Sequence, residues 1–552
     1  MRSAGPREDP SLGRASLFLA SGTVVSRILG FISAIILART IGIVGAGADS
    51  FALANQLPNN IYAIIAGGVL SAVLVPHIVK AGLDSDGGQS FINKIVTLGF
   101  VIFLAVAILA TVLAPALVAL YAQQGEGSSL GFSSQEMALA TAFAYWCLPQ
   151  ILFYALYSLF SEVLNARKIF GPFTWAPALN NIVSMTGLIG FQLVFPSAET
   201  STATSWTPGM IGLLAGSATA GVIAQALILL VFWKRAGLTL APDFRWRGVG
   251  LGRTGRAVSW MFGMIVVAQI AGIVQSNVAS LAAGEGAPSL AILRFSWLIF
   301  MLPHSVVAVS LATAYFTKMA THFRDGALGL LKDDIHASIT RISLFMVLAS
   351  VGLVVVAIPF ARQFTTSTQE ALSMAVVIGA YALGLVPFST LFLLQRAFYA
   401  MEDTRTPFFL QVFHASVFIS LALASSTLPV TQIAVGLALS ATTATTLQTV
   451  LAFALLGRKV GRYPYGDLFV NYASFVLAAG VASGIGVALV LALGGAEPDG
   501  FLLSSAVLAG VSMVVITLGM SAGYILTLSL LRNPDMRAVL APVVRRIRHR
   551  KD

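Results

Sequence analysis

One arginine, Arg27, interrupts an otherwise apolar run at residues 22–40, GTVVSRILGFISAIILART. A guanidinium at the centre of a transmembrane helix costs about 2.5–3.5 kcal/mol on insertion scales. The preceding basic residue, Arg14, lies 13 positions earlier, so Arg27 is about 20 Å farther along a helix and too deep for easy snorkelling. Because a guanidinium donates paired hydrogen bonds and keeps its charge, Arg27 suits a phosphate or pyrophosphate ligand.

Acidic residues that could pair with Arg27 are scarce. Glu162 falls near the inner end of a predicted helix and Asp49 at the outer start of another, so no carboxylate is predicted at the depth of Arg27. An aqueous cavity or an anionic ligand therefore explains Arg27 better than a buried ion pair. Proton- and sodium-coupled antiporters generally need an ionisable acid inside the membrane, and this class of transporter is disfavoured.

Polar residues at helical spacing provide the other candidates for binding. The first predicted helix has a stripe of small and polar residues: Thr23, Arg27, Gly30 and Ala34. The second has a comparable stripe and three residues predicted to bend it: Asn55, Asn59, Tyr62 and Ala66, with Pro58, Gly67 and Gly68. Small-residue helix packing with polar side chains as glue is the alternative interpretation of these stripes.

A second arginine, Arg294, lies in a predicted helix that also contains Pro303. It is about five residues from the outer end of that helix, so snorkelling and ligand binding explain it equally well. The six histidines have no metal-ligand spacing, and no nucleophile with a base is evident. The sequence therefore predicts no metal, no cofactor and no catalytic constellation.

The composition defines the class of protein to which these residues belong. Of 552 residues, 57% are hydrophobic and 10% are charged, with a mean hydropathy of +0.87. Soluble chains have about 25% charged residues, so this is an integral membrane protein. The formal net charge is +11, but the basic residues follow the membrane topology, and we expect no binding to nucleic acid. Cys147 is the single cysteine.

Span length and polar punctuation predict an all-α protein with fourteen transmembrane helices. The predicted segments are 15–40, 51–79, 91–122, 135–163, 174–195, 209–233, 257–283, 289–317, 340–360, 371–400, 408–427, 431–456, 468–494 and 501–531. With a cytoplasmic N-terminus, 29 of the 33 Lys and Arg residues fall in cytoplasmic segments. Arg39 and Arg362 fall outside, and Arg27 and Arg294 remain in the membrane. This alternation obeys the positive-inside rule and predicts that both termini are cytoplasmic.

A faint repeat divides the chain. LPNNIYAIIAGGVLS and LPHSVVAVSLATA are offset by six predicted helices, as are LNARKIFGPF and RAFYAMEDTRTPF. This offset predicts two six-helix lobes as parallel repeats, with a site at their interface. The predicted parts are a tail (1–14), an N-lobe (15–235), a basic linker (236–256), a C-lobe (257–456), helices 13 and 14 (457–531) and a basic tail (532–552), which can contact anionic lipid.

Several motifs resemble one family. They are SRILGF at 26–31, DSFALANQLPN at 49–59, GGVLSAVLVPHIVKA at 67–81, LNARKIFGPFTWAPALNNI at 164–182 and RAFYAMEDTRTPF at 396–408. These motifs resemble the MurJ/MviN family, the bacterial lipid II flippases of the multidrug/oligosaccharidyl-lipid/polysaccharide exporter superfamily. The resemblance runs from about residue 15 to about residue 530. The segment 244–256 and the preference for Arg over Lys look actinobacterial.

The resemblance implies a fold, a function and site residues. It implies two lobes around a cationic cavity, a groove for a polyprenyl tail beside the last two helices, and transport of lipid II across the cytoplasmic membrane by alternating access. Its implied partners are lipid II, membrane lipids and proteins of cell-wall synthesis and division. Arg27 and Ser26 match the arginine and serine of the family's first helix, Asp49 the acid before helix 2, and Pro58-Asn59 the helix 2 motif. The acids that bind sodium in some members are absent from predicted helices 7, 11 and 12.

This chain departs from the family at three places. Many members have Arg-Asp where this chain has Ser33-Ala34, an arginine and a glutamate on helix 2 at Tyr62-Ala63 and Gly67, and Asp-Arg at Trp297-Leu298. The cavity charge is thus reduced to Arg27 and Arg294, and amides are expected to complete the substrate site: Asn55, Asn59, Gln269 and Gln275. The structural or gating residues are predicted to be Gly30, Asp49, Pro58, Gly67, Gly68 and Pro303.

The missing charges leave other functions open. One alternative is a flippase for another polyprenyl-diphosphate-linked glycan, and another is a non-transporting scaffold of the cell-wall machinery. A membrane glycosyltransferase would need catalytic carboxylates near a membrane face, and the sparse acidic residues argue against it.

Overall fold

The computed structural model describes residues 10–66, 78, 81–82, 86–125, 130–246, 255–283, 286–461, 465–495, 497 and 500–548. Within these ranges the regular structure is helical, apart from one isolated bridge between Gln124 and Phe132. The predicted all-α fold class is therefore confirmed.

The described chain divides into two compact units, which we describe separately. The first ends at Gln269 and also includes Ala283–Gly286, and the second comprises Ile270–Ala282 and the chain from Ala287 onward. The division falls inside a continuous helix, Gly255–Ser280. The lobe boundaries expected from the sequence, at 235 and 257, remain predictions.

The first unit contains eight helices within the described residues, and a ninth is shared with the second unit. They are α1 (Pro10–Ile41), α2 (Ala46–Ala66), α3 (Gln89–Val112), α4 (Ala114–Tyr121), α5 (Ser134–Cys147), α6 (Gln150–Ala166), α7 (Gly171–Val194), α8 (Pro208–Val231) and α9 (Gly255–Ser280). α1 packs on α7, α7 packs on α8, and α8 packs on α5 and α6. α6 also contacts α2 and α3, which completes the core of this unit.

The second unit continues the helical pattern. Its described α-helices are α10 (Leu290–Pro303), α11 (Val309–Arg324), α12 (Leu328–Val355), α13 (Ala357–Phe364), α14 (Thr368–Ala382), α15 (Leu385–Ala400), α16 (Arg405–Ser425), α17 (Val430–Val460), α18 (Tyr465–Ala492), α19 (Phe501–Ser504), α20 (Ala506–Leu530) and α21 (Pro534–Arg548). α12 contacts α11, α15 and α18, and α18 packs on α20. The terminal pair α18 and α20 is thereby joined to the rest of the unit through α12.

Several predicted spans are broken into two helices. The breaks precede or include a proline near the start of the second piece: Pro115, Pro149, Pro359 and Pro387. Proline lacks the backbone N–H that a continuous helix needs, but it fits the first turn of a new helix. In the span predicted at 289–317, α10 ends at Pro303, and a π-helical turn, His304–Ala308, leads into α11.

Most of the predicted spans are long and apolar enough to cross a membrane. Eleven helices of the described chain are long and apolar enough to cross a membrane, or twelve if α14 and α15, bent by 41°, form one span. Helices also occupy the described parts of the other two predicted segments, but α2 and α7 are more polar, and each contains adjacent asparagines. The count of fourteen and the cytoplasmic position of both termini remain predictions.

Candidate substrate-binding site

Arg27 lies near the middle of α1, 17 residues after Pro10 and 14 residues before Ile41. Its side chain is exposed. It has no hydrogen-bond or ion-pair partner among the residues that the structure describes. A guanidinium is not deprotonated in proteins. The helix therefore presents a permanent positive charge that the described protein does not neutralise.

Small residues pack an adjacent side of α1 closely against α7. A Cβ atom placed on Gly22 would lie 2.8 Å from the Trp175 indole nitrogen, and one on Gly30 would lie 3.4 Å from the Asn181 amide nitrogen. Between them, the Asn181 amide nitrogen donates a hydrogen bond of 2.9 Å to the Ser26 backbone oxygen. Positions 22, 26 and 30 recur at i, i+4 and i+8, so they share one face of the helix.

This packing determines where Arg27 points. Successive residues of an α-helix are rotated by about 100°, so Arg27 projects from a face next to the one that Ser26 turns towards α7. The hydrogen bond from Asn181 is made to the residue immediately before Arg27. The height and direction of the guanidinium are thereby coupled to α7 through one backbone contact.

Amide and hydroxyl groups extend from this contact into the first unit. The Asn180 amide donates to the Gln225 side-chain oxygen at 3.0 Å, and the Gln150 amide donates to the Thr219 hydroxyl at 2.8 Å. Thr219 in turn donates to the Trp146 backbone oxygen at 2.8 Å. These neutral bonds join α6, α7 and α8 across their packed faces. Sequence reasoning missed Asn180 and Asn181 as site residues, although two adjacent amides in a membrane helix, inside a family motif, are a usable signal.

The residues expected on α2 occupy different environments. Asn55 is half-buried, Asn59 is exposed and Pro58 is buried within the helix. Asp49 is fully buried in the first turn. The hydroxyl of its neighbour Ser50 donates to the Glu136 backbone oxygen at 3.3 Å. No hydrogen bond of the described chain joins Asn55 or Asn59 to Arg27. Gly67 and Gly68 lie outside the described residues.

In the second unit, Arg294 is exposed on α10 beside an aromatic cluster. Trp297, one turn farther along, is 39% exposed and stacks on Phe300 with ring centroids 4.9 Å apart. Phe388 and Tyr381 complete this cluster, with centroids 5.6 and 5.5 Å from Trp297. Arg294 thus combines a cation with exposed aromatic surface, an arrangement that suits a ligand with both charged and apolar parts.

The remaining candidate residues of α9 and α10 have identifiable contacts. Gln275 is half-buried on the part of α9 that belongs to the second unit, near the Tyr381 hydroxyl of α14. Gln269 is half-buried on the part of α9 that belongs to the first unit. Directly after Pro303, the buried His304 lies 3.0 Å from the Ser389 hydroxyl through its Nδ1 atom. Pro303 therefore stands at the junction of α10 and the π-helical turn.

Comparison with solved structures identifies the fold. An inward-facing multidrug resistance MATE family transporter of the MOP superfamily has the same fold, with a TM-score of 0.60 and 15% identity over 81% of this chain and 98% of that one. The structure titled Lipid II flippase MurJ, inward closed conformation, has a TM-score of 0.69 and 18% identity over 92% of this chain and 98% of that one. The chain therefore shares the fold of these two structures.

Sequence comparison then identifies the family. The family model described as lipid II flippase MurJ matches residues 37–497, and the chain belongs to this family. The probable lipid II flippase MurJ of Haemophilus influenzae is 27% identical over 404 residues, which cover 70% of this chain and 75% of that protein. The probable lipid II flippase MurJ of Buchnera aphidicola is 27% identical over 396 residues, covering 70% and 72%. The resemblance inferred from the motifs is confirmed, and the chain is a multi-pass protein of the bacterial inner membrane.

Proposed function

We propose that this chain is a lipid II flippase, which moves the undecaprenyl-pyrophosphate-linked peptidoglycan precursor from the inner to the outer leaflet by alternating access. It does so without making or breaking a covalent bond. The observation that carries this proposal is Arg27, an exposed guanidinium in the middle of a membrane helix with no partner in the described protein. A pyrophosphate is the part of lipid II that such a group would bind.

Arg27 acts as the pyrophosphate ligand in this proposal. Hydrogen bonds to charged groups are worth about 1.5–3 kcal/mol each, and guanidinium–phosphate pairs are often bidentate. Ser26, Asn55, Asn59, Gln269 and Gln275 would contribute neutral contacts, and Arg294 a second charge. Gly30, Asp49, Pro58, Gly67, Gly68 and Pro303 would shape or gate the path. Membrane lipids and proteins of cell-wall synthesis and division are the proposed partners.

A second candidate substrate is another polyprenyl-diphosphate-linked glycan. It is favoured by three places where the resemblance to the family implies arginines, because this chain has Ser33-Ala34, Tyr62-Ala63 and Trp297-Leu298 there. A smaller positive charge suits a head group with fewer anionic groups than lipid II carries on its peptide and pyrophosphate. A non-transporting scaffold is the remaining alternative.

Depletion of the protein in its own host distinguishes these functions. Lipid II should accumulate and become inaccessible to a membrane-impermeant reagent added outside the cell. Re-expression of the chain should restore that access. Unchanged lipid II together with accumulation of another lipid-linked glycan would replace the first proposal by the second. Normal access of every lipid-linked glycan would support the scaffold.

A further inference from the structure

The segment that follows α8 lies along the first three turns of α3. A short 3-10 turn, Lys234–Ala236, ends at Gly237, whose φ of 71° is in the left-handed region that favours glycine. The chain then continues without helix or strand through residues 238–246, which we call the linker strap. Leu238 is 2% exposed, whereas Leu240 and Phe244 are 50% and 65% exposed. Apolar burial therefore anchors only the beginning of the strap.

Three polar side chains on one face of α3 hold the rest of the strap by its backbone. Gln89 Oε1 accepts a hydrogen bond from the Thr239 N–H at 3.0 Å, and Gln89 Nε2 donates to the Thr239 carbonyl oxygen at 2.5 Å. Asn93 Oδ1 accepts from the Ala241 N–H at 3.4 Å. Thr97 Oγ1 accepts from the Asp243 N–H at 2.9 Å. Every second residue from Thr239 to Asp243 is thus bonded to α3.

The spacing of the three side chains along α3 matches the spacing of the bonded residues along the strap. Residues four apart on a helix are about 6 Å apart along the axis, and residues two apart on an extended chain are about 6.6 Å apart. The Gln89 amide also donates to Asn93 Oδ1 at 2.9 Å, which aligns the two side chains with each other. A helix face with Gln, Asn and Thr at i, i+4 and i+8 can therefore bind an extended backbone in one register.

The strap sequence fits this register. Proline, which has no N–H, occupies position 242, between the two bonded positions 241 and 243, where no N–H is required. The Arg245 guanidinium forms a two-point ion pair with the Asp243 carboxylate, with N–O distances of 3.0 and 2.9 Å. Hydrogen bonding from the Arg245 side chain lowers the pKa of Asp243 to about 2, so this carboxylate is charged at physiological pH.

The contacts between the strap and α3 are specific, but they are weak enough to break reversibly. These contacts are neutral hydrogen bonds, exposed at Thr239 and partly buried at Ala241 and Asp243, each of small net value. Against them stands the conformational entropy of ordering the strap backbone. These terms are of similar size, and little buried apolar surface adds to the bonded form. The closed and open forms are therefore close in free energy.

We propose that the linker strap is a releasable latch that detaches from α3 during transport. This inference rests on the proposed function for the existence of a transport cycle. With the strap closed, eight residues, 247–254, connect it to α9. Opening adds the strap residues to that connection, each of which extends the reach by up to about 3.5 Å. The latch thereby sets the length of chain between α3 and the start of α9, both of which lie in the first unit.

Hydrogen exchange on the full-length wild-type protein tests the latch without any transport. In lipid nanodiscs, a peptide covering residues 238–246 should exchange about tenfold more slowly in the wild type than in the Gln89→Ala/Asn93→Ala/Thr97→Ala variant. Peptides from the C-terminal half of α3 should exchange equally in both, which shows that the helix remains folded. Equal exchange of the strap in the two proteins would overturn the latch.

A reversible cross-link tests whether the latch must open. Asn93→Cys and Ala241→Cys should be combined with Cys147→Ala, because Cys147 is the only native cysteine and is buried. In proteoliposomes, oxidation should slow lipid II transport about tenfold or more, and a reductant should restore it. The two single-cysteine variants should not respond to oxidation.

Transport at the full rate by the cross-linked protein would contradict release of the strap. Failure of the reduced parent protein to move lipid II would count against the proposed function alone, because the exchange measurement does not depend on transport. In that case the cross-link is scored on the lipid-linked glycan that the parent protein does move.

Discussion

Two groups of helices pack in different ways: α7 and α8 in the first unit, and α10 and α15 in the second. In the first group, glycine brings the helices into very close contact: a Cβ atom on Gly221 of α8 would lie 2.3 Å from Asn180 Oδ1 and 2.8 Å from the Asn180 backbone oxygen. In the second unit, α10 and the adjoining π-helical turn contact α15 through aromatic rings. Phe300 and Phe388 have centroids 5.3 Å apart, and His304 and Phe388 have centroids 4.7 Å apart.

The contrast indicates different mechanical roles. Close glycine contacts reinforced by side-chain hydrogen bonds allow few alternative registers between α1, α7 and α8. Aromatic contacts are broad and less directional, and in this chain they surround the π-helical turn after Pro303. We infer that the first unit holds Arg27 in a fixed direction, whereas the second unit can adjust α10. Three substitutions, in order of decreasing effect, test this difference.

The largest effect is expected from filling the space at Gly221. The Gly221→Ala variant must displace the backbone of α7, so its free energy of unfolding should fall by about 1–3 kcal/mol, as for other overpacked sites. Gly379→Ala is the matched control in the second unit, because nothing lies within 4 Å of its Cβ position. Thermal melting of the purified proteins should show a clear loss for Gly221→Ala and none for Gly379→Ala. Equal melting temperatures would refute the contrast.

A smaller and more specific effect is expected at Asn181. The Asn181→Ala variant loses the hydrogen bond to the Ser26 backbone oxygen, and interhelical hydrogen bonds in membranes contribute about 0.6 kcal/mol on average and up to about 1.7. Lipid II transport should fall about three- to tenfold while the protein level stays normal. Ser184→Ala, one turn farther along the same helix, should transport normally. A parallel loss in both variants would indicate general destabilisation of α7 instead of misplacement of Arg27.

The smallest effect is expected at Trp297. Trp297→Ala removes ring contacts with Phe300 and Phe388, and aromatic pairs contribute about 0.5–1.5 kcal/mol beyond area burial. Because Trp297 is already 39% exposed, the melting temperature of the Trp297→Ala variant should drop less than that of the Gly221→Ala variant. Trp297→Phe, which keeps a ring, should recover most of the loss. A drop larger than that of Gly221→Ala would mean that the second unit, too, depends on one tight contact.

Much of the fold could be predicted from the sequence, because hydrophobic span length and the distribution of basic residues report directly on membrane helices. Proline breaks inside the spans were harder to predict. A proline at the first turn of a new helix and one inside a bent helix look alike in sequence. The early start of α12 at Leu328, instead of near residue 340, was missed because its first turns carry charged residues and lie beyond the apolar segment.

The candidate site was only partly predictable. Arg27 is conspicuous because a charge inside an apolar run needs an explanation, whereas its coupling to Asn181 joins positions 155 residues apart. The hydrogen bonds between α3 and the linker strap span similar separations and use common polar residues, which carry no periodic signal in a loop. Such contacts depend on tertiary packing, so local pattern does not reveal them.

The central claim is that Arg27 binds the anionic head group of the substrate. Reconstituted lipid II transport by Arg27→Ala, Arg27→Lys and the wild type tests it most directly, with Arg39→Ala at the other end of α1 as the matched control. We expect no transport by Arg27→Ala, partial transport by Arg27→Lys, which keeps the charge but loses the bidentate fork, and normal transport by Arg39→Ala. Transport by Arg27→Ala at the wild-type rate would contradict the role of Arg27 in binding.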